Sequence, residues 1–294
     1  MDLQEIIKHF AKSPHSKVSH LEPLRKGMTN NSYTFVLDDC KYVLRVPDEA
    51  ANKLINRQKE GSVYKAIDNS HISDDVVYFC ADTGIKVSKF VENARTCNAN
   101  DLKDVKTCIK FLKKFHDCNL KVPHTFDLFE NIEFYEALYG GNSIYEDYQV
   151  IKNQVYALKE YVESHVEQQC LCHIDPNCDN FLINNHEDGT LNLHLIDWEY
   201  AAMQDPHVDL AMFCIYSQYD EIHINWVLDS YFEGNCPQDI KLKIYCYIAI
   251  CGLLWSNWCE YKECLGVQFG HYATAQYDFA KRYSHLAIKQ IQEL

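Results

Sequence analysis

A short loop carries three polar residue types that could do chemistry together. In the stretch CHIDPNCDNFLI, Asp175 is followed five residues later by Asn180, and Asp197 ends the later stretch LNLHLID. An aspartate can orient and deprotonate an attacking hydroxyl group, and asparagine and aspartate oxygens are the hard ligands that Mg²⁺ prefers. Phosphoryl transfer of the protein-kinase type uses these groups in this order. The pattern therefore predicts Asp175 as the catalytic residue and Asn180 and Asp197 as metal ligands.

The surrounding elements predict an α+β fold with two lobes. A β-hairpin is expected over residues 32–46, a helix over 51–67, and two further strands on either side of the Thr83-Gly84 turn. From about residue 93 the pattern becomes helical, as in the amphipathic stretch 104–118. We expect a β-rich nucleotide-binding lobe over 1–92 and a mainly helical catalytic and substrate-binding lobe over 93–294. A cleft between two such lobes would be a natural ligand site.

Composition narrows the function classes. The chain has 294 residues, 47% of them hydrophobic, and a net charge of −14, which argues against a nucleic-acid-binding protein. The longest apolar run, residues 245–255, is about half of what a membrane span needs. No secretory signal is recognisable, so we expect a cytoplasmic protein whose 14 cysteines are reduced. CLCH is not followed by a second Cys/His pair at zinc-finger spacing, so we do not expect a structural zinc site. The sequence does not predict the oligomeric state.

HIDPNCDNF together with LIDWEYAAMQDPHVDLA resembles the choline kinase and aminoglycoside phosphotransferase superfamily. GMTN and KLINRQ resemble bacterial choline kinases in particular, and the resemblance extends over about residues 24–280. It implies a protein-kinase-like bilobal fold and a kinase that uses ATP and Mg²⁺. The plain alternative is that HxDxxxxN arose by chance in a loop rich in Asn and Asp, which the later DPxxDLA motif makes a poor explanation.

The resemblance also assigns residues to ATP and to the support of the catalytic loop. Arg45 would hold the phosphates, Glu60 would pair with Arg45, and His173 and Asp209 would brace the loop by hydrogen bonds. The alternative for Arg45 and Glu60 is an ordinary surface pair. The remaining residues expected to contact ATP lie in the GMTNNSY turn and at the hinge, and they are Gly27, Thr29, Asn30, Asn31, Phe90 and Val91.

The acceptor is predicted from aromatic residues near the carboxyl terminus. Trp255 and Trp258 share one helical face, and Tyr272 follows in FGHY. Aromatic faces bind quaternary ammonium groups through cation–π attraction, and this phrase resembles the choline site of bacterial choline kinases. We therefore expect choline as the substrate. The alternative for WxxW alone is a buried stripe of a core helix.

The chain also departs from its relatives in this region. Tyr216 stands where several relatives carry a glutamate near the substrate ammonium, and Gln276 replaces a basic residue. Tyr216 could extend the aromatic cage, and Glu199 could supply the missing negative charge. The acceptor could instead be ethanolamine, thiamine or an aminoglycoside. A pseudokinase that only binds nucleotide is the competing function class, but Asp175, Asn180 and Asp197 are all present.

Overall fold

The structure is a computed structural model that describes residues 3–10, 17–26, 30–48, 54–185 and 191–294. The chain divides into two compact units, Met1–Thr96 with Asn180–Tyr200 and Cys97–Asp179 with Ala201–Leu294. The lobe boundary at residues 92 and 93 stays a prediction. Among the described residues, no helix is both long enough and apolar enough to cross a membrane.

The described part of the first unit consists of two antiparallel sheets with helices. The larger sheet has the strand order β1-β2-β3-β5-β4, and the smaller has the order β6-β8-β9. The bounds of its elements are α1 Leu3–Phe10, β1 Val18–Lys26, β2 Asn30–Leu37, β3 Cys40–Pro47, α2 Arg57–Ile67, β4 Val76–Phe79, β5 Lys86–Lys89, β6 Ala94–Thr96, β8 Phe181–Asn185 and β9 Leu191–Leu195.

The predicted hairpin is strands β2 and β3. Its two turn residues, Asp38 and Asp39, have φ values of 48° and 65°, which a two-residue hairpin turn requires and aspartate tolerates. Successive side chains on a strand point to opposite faces. Leu44 therefore packs in the hydrophobic core with Phe35, while its neighbour Arg45 lies on the other face of β3.

Helix α2 begins later than the sequence pattern predicted. Asn56 caps it by accepting hydrogen bonds from the backbone N–H groups of the next turn, so the helix begins at Arg57. Leu54 and Ile55 precede the helix, and residues 51–53 lie outside the described part of the chain. Arg57 and Glu60 are three residues apart in this helix, so they share one buried face.

The second unit is mainly helical, with one short antiparallel pair of strands, β7 and β10. Helix α9 is almost wholly buried and packs against α10, α7 and α4. Gly252 permits this packing, because a Cβ there would lie 2.8 Å from the carbonyl oxygen of Gln276 on α10. The bounds are α3 Leu102–Asp117, α4 Leu128–Leu138, α5 Tyr148–Ala157, α6 Lys159–Ser164, β7 Cys170–Cys172, β10 Ala202–Gln204, α7 His207–Tyr216, α8 Glu221–Phe232, α9 Gln238–Cys264 and α10 His271–Gln292.

Candidate active site

A buried cluster of charged side chains lies in the first unit. We call it the arginine–carboxylate cluster, and its members are Arg45, Arg57, Glu60, Asp197 and Glu199. Arg45 Nη2 lies 2.5 Å from Glu60 Oε1, and Arg45 Nη1 lies 3.1 Å from Asp197 Oδ1 and 3.8 Å from Glu199 Oε2. One guanidinium of β3 thus faces three carboxylates.

Arg57 joins the same carboxylates from helix α2. Its Nη1 lies 2.8 Å from Glu60 Oε2 and 3.0 Å from Glu199 Oε2. The amide of Asn30 donates to the same oxygen of Glu199 at 2.9 Å. Glu199 was predicted to face the substrate ammonium, and that role stays a prediction. Its contacts include both guanidinium groups of the cluster and the amide of Asn30, all in the first unit.

Asp197 is the member of the cluster that reaches the surface. Its side chain is 34% exposed, whereas the side chains of Arg45, Arg57, Glu60 and Glu199 are at most 5% exposed. Desolvation and the charge of Glu199 raise the pKa of Asp197 to about 6, although Arg45 and Lys86 oppose the shift. The raised pKa of Asp197 therefore reflects desolvation first and the neighbouring charge of Glu199 second.

The backbone holds Asp197 in an unusual conformation next to Asn180. Asp197 has a φ of 68°, a left-handed region that few residues other than glycine occupy. Its neighbour Ile196 donates its N–H to the carbonyl of Asn180 at 2.9 Å. Asn180 ends a 3₁₀ turn, Cys178–Asn180, and is buried. The two predicted metal ligands therefore come from neighbouring backbone segments of one unit.

The other residues predicted to contact ATP lie outside the arginine–carboxylate cluster. Asn31 lies on β2, opposite Val46. Phe90 follows β5, and its backbone N–H donates to the carbonyl of Lys41 at 3.0 Å, so Phe90 would have to offer adenine its own carbonyl. The half-buried Val91 follows it. Gly27 and Thr29 lie outside the described residues.

In the second unit, Asp209 holds the loop that carries Asp175 by hydrogen bonds to its backbone. The carboxylate of Asp209 accepts the backbone N–H groups of His173 and Ile174, both at 2.8 Å. Ile174 has a φ of 69°, which is strained for a β-branched residue and persists only where the surroundings enforce it. Asp209 thus holds a strained backbone directly before Asp175. The roles of His173 and Asp209 in catalysis stay predictions.

His116 of α3 is a further support of this loop, and no sequence pattern pointed to it. His116 Nε2 lies 3.0 Å from Asp209 Oδ2, and His116 Nδ1 lies 2.8 Å from the hydroxyl of Tyr231. His116 also stands near Cys170 and Cys172, with one potential ligand atom from each residue within 4.8 Å of the others. Because both ring nitrogens already have partners, the imidazole fits loop support better than metal ligation.

The aromatic residues predicted to bind choline form a chain of rings in the second unit. We call it the aromatic cluster, and its members are Tyr216, Trp255, Trp258, Phe269 and Tyr272. The ring centroids of the two indoles lie 5.4 Å apart at an interplanar angle of 78°, and Tyr216 lies 5.6 Å from Trp255. Phe269, which sequence reasoning missed, lies 5.4 Å from Trp258 and 6.1 Å from Tyr272.

The charge of Asp175 acts on Tyr272, one member of the aromatic cluster. Burial raises the pKa of Tyr272 well above its usual value, and the charges of Cys259 and Asp175 add to the shift. Asp175 itself is half-buried, and its Oδ1 accepts a hydrogen bond from the amide of Asn177 at 3.0 Å. The predicted catalytic carboxylate is therefore near enough to Tyr272 for its charge to raise the pKa of that hydroxyl.

Comparison with known proteins decides the family. The sequence profile of choline/ethanolamine kinases matches residues 21–230 of this chain. The chain belongs to the choline/ethanolamine kinase family. It is therefore a phosphotransferase whose acceptor is an alcohol group, and the enzyme class predicted from the sequence is confirmed.

Similar proteins support this assignment. Protein LicA of Haemophilus influenzae strain Rd is 25% identical over 271 residues, which are 86% of this chain and 97% of that protein. The crystal structure of choline kinase LicA from Streptococcus pneumoniae has a TM-score of 0.80 and 28% identity, covering 96% of this chain and 99% of that chain. A LicA complex with AMP has the same TM-score and 27% identity, covering 98% and 100%. The predicted protein-kinase-like α+β fold is confirmed.

Proposed function

We propose that this protein is a choline kinase, which transfers the γ-phosphoryl group of ATP to the hydroxyl group of choline. The observation that carries the choice of acceptor is the aromatic cluster. Its two buried indoles stand almost at right angles, and one of them meets a tyrosine ring. Aromatic faces in this arrangement would attract a cation that donates no hydrogen bonds. The similarity to LicA choline kinases supports the same acceptor.

The donor set of the first unit fits a divalent cation. The arginine–carboxylate cluster has three carboxylates and two guanidinium groups, and its exposed member, Asp197, has a pKa raised to about 6. A cation that binds Asp197 would relieve this excess of negative charge. We propose that Asp197 and Asn180 hold Mg²⁺, whose carboxylate and amide oxygen ligands they would supply. When bound, Mg²⁺ neutralises charge on the phosphates during transfer.

The remaining roles follow from the chemistry of each residue. Arg45 would bind the phosphates of ATP, with its direction set by Glu60. Asp175 would orient the choline hydroxyl and accept its proton as the oxygen attacks the γ-phosphorus in line. Trp255, Trp258, Tyr216 and Tyr272 would hold the trimethylammonium group, and Asp209 would keep the loop before Asp175 in its strained conformation.

Other acceptors make different demands on the site. Ethanolamine carries a primary ammonium that needs several hydrogen-bond acceptors, whereas the aromatic cluster offers only the hydroxyl oxygens of Tyr216 and Tyr272. An aminoglycoside carries several positive charges and would need several carboxylates around it. The described aromatic cluster favours choline over both.

The test is a comparison of acceptors under identical conditions. The protein is incubated with ATP, Mg²⁺ and one of choline, ethanolamine, thiamine or an aminoglycoside, and ADP release is followed. We expect the highest kcat/KM for choline. Replacing Trp255 by Phe should raise the KM for choline about tenfold, because a phenyl ring attracts cations less than an indole, and should change the KM for ATP little. A higher kcat/KM for ethanolamine or thiamine would overturn the proposed acceptor.

An Asp175→Ala variant provides the matched control for catalysis. It should lose turnover with every acceptor while it still binds ATP. If it keeps near-full activity, Asp175 is not the residue that accepts the proton.

A further inference from the structure

The buried Arg57 occupies a central position in the arginine–carboxylate cluster. It is the first residue of α2, and a single nitrogen, Nη1, lies 2.8 Å from Glu60 Oε2 and 3.0 Å from Glu199 Oε2. Its other terminal nitrogen lies 3.5 Å from the amide oxygen of Asn30. Arg57 therefore links three residues that come from α2, from β2 and from the segment after β9.

We propose that Arg57 is a positioning residue for phosphoryl transfer, which keeps Arg45 directed at Asp197. This inference rests on the proposed function, because it assigns Arg45 to the phosphates and Asp197 to the metal. Arg57 touches neither reacting group in this proposal. It acts through Glu60 and Glu199.

The distances explain how Arg57 would do this. Arg45 contacts Glu60 at 2.5 Å and Asp197 at 3.1 Å, and it stands 3.8 Å from Glu199. Glu199 is buried, and a buried carboxylate requires a compensating partner. Arg57 provides that partner at 3.0 Å. Without Arg57, Glu199 would attract Arg45 away from Asp197, since Arg45 is the next guanidinium within reach.

Arg57 also determines which carboxylate oxygen of Glu60 contacts Arg45. The two oxygens of Glu60 are divided between the two arginines, with Oε1 on Arg45 and Oε2 on Arg57. A carboxylate held at both oxygens cannot rotate without losing a charge-assisted hydrogen bond. Arg57 thus orients the guanidinium of Arg45 in two ways, through Glu60 and through Glu199.

Gly84 provides a second, independent observation on the same pair of arginines. Its carbonyl accepts a hydrogen bond from Arg45 Nη2 at 3.2 Å. A Cβ at Gly84 would lie 2.5 Å from Arg57 Nε, and the residue has a φ of 72°, which favours glycine. The backbone at this turn therefore contacts one arginine and leaves room for the other.

The alternative is that Arg57 only stabilises the fold, as a buried ion pair can. The two roles differ in what a substitution changes. A purely structural arginine alters the free energy of unfolding and the amount of folded protein, but the folded fraction keeps its affinity for nucleotide and its kcat. A positioning residue alters both of these in protein that is fully folded.

The experiment compares Arg57→Met with Arg57→Lys and with Lys59→Met, an exposed lysine of the same helix. For each variant the thermal midpoint, the direct binding of a fluorescent N-methylanthraniloyl ATP with and without Mg²⁺, and the choline kinetics are measured. For Arg57→Met we expect nucleotide affinity about tenfold weaker, kcat at least about 30-fold lower and the KM for choline within about twofold of the original. Arg57→Lys should recover part of each loss, and Lys59→Met should change none.

Gly84→Ala tests the same role without removing the charge. It should reproduce the loss of nucleotide affinity seen with Arg57→Met, and the double variant should be little worse than either single one, because both act on the same contacts. Normal nucleotide affinity and kcat in folded Arg57→Met protein would overturn the inference alone. If the original protein bound no nucleotide, the proposed function would fail with it.

Discussion

Two buried networks of charged groups, one in each unit, are balanced differently. In the second unit, Lys243 of α9 lies 2.8 Å from Asp205, whose carboxylate also accepts the hydroxyl of Tyr247 at 3.1 Å and the backbone N–H of His207 at 2.9 Å. There one ammonium meets one carboxylate. In the arginine–carboxylate cluster of the first unit, two guanidinium groups meet three carboxylates.

On the proposed function, this difference is the one expected between a pair that stabilises the fold and a cluster that binds a cation. A neutral, fully hydrogen-bonded pair needs nothing further, and breaking it exposes a lone buried charge. A cluster with one excess negative charge is completed by a cation, and its exposed member, Asp197, is where a cation can reach it. Substitutions in the arginine–carboxylate cluster should therefore change the kinetics of the enzyme. Substitutions in the pair of Lys243 and Asp205 should change the stability of the fold.

The largest effect is expected at Arg45. Arg45→Met would leave three carboxylates with one guanidinium, and we expect kcat/KM for ATP to fall on the order of 10³-fold, equivalent to about 4 kcal/mol. Arg45→Lys should lose less, because it keeps the charge but not the forked geometry that meets two carboxylates. Steady-state kinetics with thermal melting measure both. A loss below about tenfold in Arg45→Met would break the distinction between the two networks.

Replacing Lys243 should lower the free energy of unfolding by an amount comparable to the loss of transition-state stabilisation expected at Arg45. Lys243→Met leaves Asp205 buried without its cation, which typically costs about 3–5 kcal/mol of unfolding free energy. Urea denaturation measures this loss. The matched control is Lys241→Met on the same helix, where the half-buried ammonium donates to the amide of Asn225, and it should change stability much less. Folded Lys243→Met protein should keep its KM for choline and for ATP, and a change in either would argue against a purely structural role.

The smallest effect is a pH dependence at His207. Burial lowers the pKa of His207 to about 4, although Asp205 opposes the shift. In the unfolded chain the imidazole takes up its proton near pH 6.5, but in the folded protein only near pH 4, so protons favour unfolding between these values. This contribution to stability is present above pH 6.5 and decreases as the pH falls to 4, by about 3 kcal/mol.

Thermal melting across this pH range tests the assignment. His207→Gln should flatten the dependence of the melting temperature between pH 6.5 and 4, whereas the same change at the exposed His285 should not. An unchanged slope in His207→Gln would show that other groups cause the acid sensitivity.

Local patterns predicted much of the fold and named the principal residues. The hairpin of β2 and β3 followed from two β-rich runs around a polar turn, and its turn residues have the positive φ values that such turns need. Arg45 and Glu60 were expected to pair, and their side chains are in contact. Tyr216 was offered as an extension of the aromatic cage, and it lies beside Trp255. The roles of these residues in catalysis and binding remain predictions.

The family, the order of the motifs and the choice of phosphoryl transfer were determined by the sequence alone, because each depends on residue types at short, fixed spacings. Only the tertiary structure decided that Arg57 meets Glu199, 142 residues away, that His116 supports Asp209, and that Phe269 meets Trp258. These contacts join groups whose separation along the chain carries no periodic signal. Their partners are selected by the closure of the fold and by the need of each buried charge for a neighbour.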